Sequence, residues 1–315
     1  MKDEVIVIAL GGNAISGKSR KNTVTEEFAN TRLSLSGIMA AVRKGYRMAI
    51  THGNGPQAGE MLLRVEAGIE KGVSDRPLGV IVADTEGGMG YMIEQSLENR
   101  LLKEGIERKV VTVLSQVEVD PSDPQINNPS KPVGPFYSKE QSEIAINEKG
   151  WNMVEDSGRG WRRVVPSPVP VSIVESDIIK KLVYSGVIVI TAGGGGIPVY
   201  YEKDGTLEGI DAVIDKDYAT IVLALELGAR IVVISTGVEK VSINFGKPEQ
   251  KDFDKLTVEE CKKYLKEGHF PPGSMGPKIK AAINFIDKGG DRVIITSVRN
   301  IGAALEGKAG TVICK

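Results

Sequence analysis

The chain predicts an α/β sandwich built on a parallel sheet. Three observations carry this. Six apolar runs, at 5–10, 46–51, 109–117, 187–191, 230–235 and 292–296, are rich in Val and Ile and do not alternate with polar residues. That is the pattern of parallel strands covered on both faces. Helical patterns separate the runs, which calls for right-handed crossovers. Three of the runs end in glycine clusters: Gly11-Gly12-Asn13, His52-Gly53-Asn54-Gly55-Pro56 and Gly193-Gly194-Gly195-Gly196-Ile197-Pro198. Turns of this kind expose many backbone N–H groups and little side-chain bulk, which suits phosphates and small anionic acids.

The helices follow in order. Thr23 and Glu26 have the spacing of a capping box, so a helix is expected to run to Lys44 and stop before Gly45. Pro56 fits the first turn of a helix through Glu70. A further helix is expected from Tyr91 to Glu104, ending at Gly105, with others over 174–184, 217–227, 258–266 and 278–288. Residues 120–170 break the rhythm. They hold eight of the fifteen prolines, and so long an interruption inside an α/β domain reads as a lid or small subdomain.

Composition excludes several classes. The formal net charge of −1 gives no basic field for nucleic acid. No apolar stretch approaches the roughly 20 residues of a membrane-spanning helix, and the acidic start Met1-Lys2-Asp3-Glu4 is unlike a signal peptide. The two cysteines, Cys261 and Cys314, form neither a metal motif nor a disulfide framework, so a reducing cytoplasm is expected. Residues 12–19 match the P-loop pattern, but Arg20-Lys21-Asn22 separate Lys18-Ser19 from the helix cap at Thr23. A P-loop would start its helix at the lysine.

Seven segments in order resemble the motifs of carbamate kinases, in the amino-acid kinase superfamily. They are 9–14, Thr51-His52-Gly53-Asn54-Gly55-Pro56-Gln57, Lys131-Pro132-Val133-Gly134-Pro135-Phe136, 156–168, 193–198, Val213-Ile214-Asp215-Lys216-Asp217 and Gly273-Ser274-Met275-Gly276-Pro277-Lys278. The resemblance implies a three-layer αβα sandwich on a mostly parallel eight-stranded sheet. It implies one domain over 1–315, with a carbamate-binding half at 1–205, a nucleotide-binding half at 206–315 and a lid at 120–170. It also implies reversible phosphoryl transfer between ATP and carbamate through carbamoyl phosphate, with Mg²⁺. The enzyme would run toward ATP, in arginine or purine nitrogen metabolism, as a homodimer.

The resemblance assigns roles as well. Lys131, Lys216 and Lys278 would gather on the transferred phosphoryl group, with Asp217 orienting lysines and Asp215 helping to hold Mg²⁺. Gly11, Gly12, Asn13, Gly53, Asn54 and Gly55 would bind the carbamoyl group. Gly194, Gly195, Thr236, Met275 and Gly276 would line the nucleotide site. His52 has the pKa range of an acid–base group, yet transfer to an anionic acceptor needs no base, so a packing or capping role is open beside it. Arg159, Arg162 and Arg163 read either as an anion contact under the lid or as partners of Glu155 and Asp156. Trp151 and Trp161 are expected in a small lid core, and His269 in a structural role.

Two departures stand out. Asp84-Thr85-Glu86-Gly87 replaces the Ser-Gln-Gly of many carbamate kinases, and Ser235-Thr236-Gly237-Val238 with Ser242 replaces a Thr-Asp-Val and a later Tyr. Both changes resemble a carbamate-kinase-like branch linked to ureide and oxamate breakdown. They leave open an enzyme acting on another small acid and a non-catalytic sensor of nucleotide or carbamoyl phosphate.

Overall fold

The structure is a computed structural model and describes residues 2–12, 15, 23–156 and 158–315. Asn13 and most of the P-loop-like stretch, Lys18 included, lie outside the described residues.

The first half of the chain runs β1 (Val5–Leu10), α1 (Val24–Arg43), β2 (Arg47–His52), α2 (Gly55–Ile69), α3 (Leu78–Lys103), β3 (Val110–Thr112) and β4 (Gln116–Val119). Then come β5 (Lys131–Tyr137), α4 (Lys139–Lys149), β6 (Asn152–Glu155), β7 (Trp161–Val165), β8 (Pro170–Ile173), α5 (Ser176–Tyr184), β9 (Ile188–Ile190), β10 (Ile197–Tyr201) and β11 (Leu207–Gly209). The remainder is α6 (Lys216–Glu226), β12 (Ile231–Thr236), β13 (Val241–Ile243), β14 (Lys251–Phe253), β15 (Lys255–Thr257), α7 (Val258–Lys266), α8 (Met275–Asp287), β16 (Arg292–Ser297), α9 (Ile301–Ala304) and β17 (Thr311–Cys314).

The main sheet has eight strands in the order β15-β17-β16-β12-β1-β2-β9-β3. Every neighbouring pair is parallel except β16 with β17. β1 shows why its sequence does not alternate. Val5, Val7 and Ala9 join the core beneath α5, α6, α7 and α8, while Ile6, Ile8 and Leu10 join the core beneath α1, α3 and α9. Helices therefore cover both faces, and the molecule is a three-layer αβα sandwich. Burying each large aliphatic side chain in these layers contributes about 1.5–3 kcal/mol.

The capping box of α1 forms as expected: Glu26 N–H donates to Thr23 Oγ1 at 3.2 Å, and Thr23 N–H to Glu26 Oε2 at 2.7 Å. Three expectations are corrected. The helix expected from Tyr91 begins at Leu78. Of its glycines, Gly90 is required by the close approach of α3 to β3, since a Cβ there would sit 2.3 Å from Thr112 Cγ2. The run 109–117 is two strands in different sheets, β3 and β4, broken around the buried Ser115. The last long helix starts at Met275, so Lys278 lies inside its first turn.

Between β4 and β8, the strands β5, β7 and β6 form an antiparallel sheet of their own, flanked by α4. Trp151 is its hub. It meets Tyr137 edge-on, and Lys149 and Arg163 lie over its ring at 4.5 and 4.6 Å. β5 passes over α2, and Gly134 on it lies against Gly59.

Candidate active site

Ligand sites in open parallel sheets form beyond the carboxyl ends of the strands. Here the ends of β1, β2, β12 and β16 open into one cavity of about 780 Å³, closed on one side by β5. Gly11, Gly12, Gly53, Asn54, Gly55, Gly194 and Thr236 line it, together with Lys131, Asp215, Lys216, Asp217 and Lys278. Gly195, Met275 and Gly276 do not. Met275 packs on the core, and Gly195 and Gly276 press against the backbones of Ile214 and Pro271.

Each charged group is delivered by a definite element. Asp215 caps α6, accepting the N–H of Asp217 at 2.9 Å, which places Lys216 and Asp217 in the first turn beside the helix dipole. Lys216 Nζ donates to Asp217 Oδ1 at 2.6 Å, and Lys278 Nζ, from α8, donates to Asp217 Oδ2 at 3.0 Å. Lys131 reaches in from β5 and donates to Asp215 Oδ2 at 2.6 Å. The side chains of Lys216, Lys278 and Asp217 are only 16, 14 and 4% exposed, so water screens them weakly. Burial by itself would push the Asp217 carboxyl up, but the charges and hydrogen bonds of Lys216 and Lys278 outweigh it and bring it to about 2. Burial and the charge of Lys216 lower the Lys278 ammonium. Three cations and two carboxylates thus form one connected set.

The glycine turns adjoin this set. Gly53 lies under the Lys216 stem, where a Cβ would be 3.0 Å from Cδ. Gly194 has φ +67°, and a Cβ there would lie 2.2 Å from Asn54 Nδ2. Gly194→Ala is therefore expected to destabilise the fold by about 1–3 kcal/mol, read as a lower melting temperature. Asn54 is held from behind, donating to Thr85 Oγ1 at 2.9 Å.

His52 is fully buried and does not line the cavity. Burial lowers it to about 4, so at neutral pH it is an uncharged packing group. Asp156 pairs with Arg159 at 2.7 Å and lies 3.8 Å from Arg162, while Arg163 faces Asp211 at 3.8 Å. Arg162 also lines the cavity and donates to the Gly134 carbonyl at 3.0 Å. His269 faces Glu267 and Tyr264, away from the cavity lining. Arg299, just past β16, lines the cavity too. Its only signal in the sequence is its place after a parallel strand.

The departures fall in four places, of which Gly237 lines the main cavity and the other three do not. Asp84 is at the surface, bound to Arg76 at 2.8 Å. Glu86 is buried behind the 193–196 turn. Ser242 binds Asp252 at 2.7 Å in a separate recess of about 360 Å³. With Asp84 and Glu86 outside the main cavity, the reason for expecting a different acceptor from them loses its footing. Asp84→Ala is expected to shift the melting temperature by no more than about 2 °C, because an exposed pair contributes little.

A deep anionic-ligand cavity at the carboxyl edge of an αβα sheet, armed with lysines, is a phosphotransferase arrangement. Comparison with known proteins agrees. The amino acid kinase family profile matches residues 4–297, and the chain belongs to that family. Within it, the similarity lies with carbamate kinases. A carbamate kinase of Thermococcus kodakarensis is 50% identical over 312 residues, covering 98% of this chain and 99% of its own. A carbamate kinase-like protein of Escherichia coli is 47% identical, covering 99% of both. The solved structure of carbamate kinase from Giardia lamblia bound to AMP-PNP superposes with a TM-score of 0.91 at 41% identity, over 99% of this chain and 98% of that one.

Proposed function

We propose that this protein is a carbamate kinase, interconverting ATP and carbamate with ADP and carbamoyl phosphate, and that it runs toward ATP. The observation that carries the reading is the meeting of Lys131, Lys216 and Lys278 in one cavity with the bare turns at 11–12, 53–55 and 194. In the ATP-forming direction, a β-phosphate oxygen of ADP attacks the phosphorus of carbamoyl phosphate, and the bond from phosphorus to the carbamate oxygen breaks. Carbamate leaves as an anion and decomposes to ammonia and CO₂. Donor, acceptor and leaving group are all negative, so the main demand is positive charge held in place. The three lysines meet it without a general base.

The cavity lining supports these roles. Gly11, Gly12, Gly53, Asn54 and Gly55 hold the carbamoyl group; Asn13, expected with them, lies outside the described residues. Gly194, expected at the nucleotide, presses on the Asn54 side chain and so belongs with the carbamoyl end. Thr236, Gly273, Ser274, Pro277 and Lys278 face the nucleotide. Residues 1–205 thus supply the carbamate half and 206–315 the nucleotide half, with 120–170 as the lid. Asp217 holds Lys216 and Lys278 on one side of the phosphoryl path. Mg²⁺ fits with Asp215 as its protein ligand. It usually takes one or two carboxylates beside substrate phosphates, and among the described residues no larger acidic or His/Cys cluster exists. When bound, it would neutralise charge on the nucleotide phosphates.

No helix among the described residues is long and apolar enough to cross a membrane. A cytoplasmic homodimer remains part of the proposal. The experiment is a coupled assay for ATP formed from carbamoyl phosphate and ADP at millimolar concentrations. Turnover is expected; no ATP above blank overturns the reading.

A further inference from the structure

Glu86 stands where the sequence departs from Ser-Gln-Gly, and no step above uses it. It is fully buried on α3. Its two carboxyl oxygens accept different backbone N–H groups: Oε1 from Gly193 at 2.9 Å and Oε2 from Ser115 at 3.2 Å. Ser115 is tied to the same turn, its Oγ accepting the Ala192 N–H at 2.9 Å. His52 stands on the other side of Gly193. A Cβ at 193 would lie 2.3 Å from His52 Nε2 and 3.0 Å from Glu86 Cγ. One residue further, Gly194 presses on the Asn54 amide, which Thr85 holds. Two successive residues of α3 therefore support both sides of the carbamoyl end: Thr85 through Asn54, and Glu86 through the turn that carries Gly194.

We propose that Glu86 is a positioning residue for the carbamoyl end of the cavity, suspending the 192–196 turn from its two carboxyl oxygens so that Gly194 and Asn54 meet the substrate at a fixed spacing. The proposal rests on the carbamate kinase reading. A glutamine at 86 has the same shape, but its NH₂ cannot accept, whereas each carboxyl oxygen keeps acceptor capacity even when the group is protonated, so glutamine would leave one buried N–H unpaired. Burial raises the Glu86 carboxyl to about 8, against the pull of the Gly193 and Ser115 N–H groups, and Glu175 adds a smaller push in the same direction. The other titratable neighbour, His52, is uncharged at that pH, and Lys216 faces it. An unfolded glutamate ionises near 4.5. Its contribution to stability is therefore full below that pH and is lost as pH rises through about 8.

The test compares wild type, Glu86→Gln and Asp84→Ala. The assays are KM for carbamoyl phosphate, KM for ADP, and melting temperature from pH 5 to 8.5. Glu86→Gln is expected to raise KM for carbamoyl phosphate about tenfold, the order expected for one orphaned buried N–H, while KM for ADP stays within about twofold. Its melting temperature should vary less with pH than that of wild type, which should fall as pH rises. Asp84→Ala should match wild type in every assay. If Glu86→Gln does not fold, Glu86→Asp, too short to reach both N–H groups, should show the same KM split. Equal changes in both KM values, unchanged KM values, or parallel pH profiles overturn the proposal. A wild type that forms no ATP from carbamoyl phosphate overturns the functional reading instead, and the pH comparison then still decides whether Glu86 holds the turn.

Discussion

Lys131→Ala lowers kcat for ATP formation by about a thousandfold, the scale at which removing one placed charge from a phosphoryl or oxyanion site acts. The reason lies in where Lys131 is held. It is the one lysine of the set carried by β5 rather than by the main sandwich, and it lines the cavity. In the structure it donates to Asp215, which leaves its ammonium a short swing from the substrate path. A phosphoryl group carrying several negative charges competes well for it. The side chain is 32% exposed and belongs to no core cluster, so the variant should melt within about 2 °C of wild type. Steady-state kinetics with a melting curve separates the two effects. A kcat within threefold of wild type would remove Lys131 from the chemistry. Lys131→Arg is expected to recover little, since a planar guanidinium does not replace a compact ammonium on the same stem.

Asp217→Ala damages stability and activity together. Asp217 is nearly fully buried and is the common partner of Lys216 and Lys278. Removing one member of a buried charged set costs about 3–5 kcal/mol, because the others remain buried and unpaired. For a chain of this size that lowers the melting temperature by on the order of 10 °C. Lys216 and Lys278 would then repel each other, and kcat should fall at least about a hundredfold. A pH series adds an independent check. The Asp217 carboxyl sits near 2 when folded and near 3.8 when unfolded. Its stabilisation is therefore present above 3.8 and is lost as pH falls through 2. Asp217→Asn should flatten that acid limb. A variant that melts like wild type would show that the two lysines do not depend on this carboxylate.

Much of this was legible in the residues, for identifiable reasons. Strands buried on both faces leave uninterrupted Val and Ile, so β1, β2, β9, β12 and β16 stood out. The edge strands β15 and β17 did not, because three or four residues with a polar member carry too little pattern. Val113-Leu114-Ser115 extended the apolar run that holds β3 and β4, although Ser115 is the buried polar hinge between two sheets. The glycines of α3 hid its first three turns. In the site, the lysines and the three glycine turns were visible as motifs. The facing of Asp84 and Glu86 was not. They lie two residues apart on a helix, one outside and one inside, and only the register of α3 decides which. Arg162 was one of three arginines offered as an anion contact, and only the folding of β7 against β5 singles it out for the cavity; Arg299 was hidden, because its segment has meaning only through what folds opposite it.

Phosphoryl transfer in this cavity depends on three ammonium groups sharing one phosphoryl unit. The most direct measurement is a crystal structure of the protein with Mg²⁺ and AMP-PNP. The expected result is a γ-phosphate in the cavity with the Nζ atoms of residues 131, 216 and 278 all within about 3.2 Å of its oxygens. A γ-phosphate bound elsewhere, or one that leaves two of the three lysines on Asp215 and Asp217 and out of reach, would contradict it.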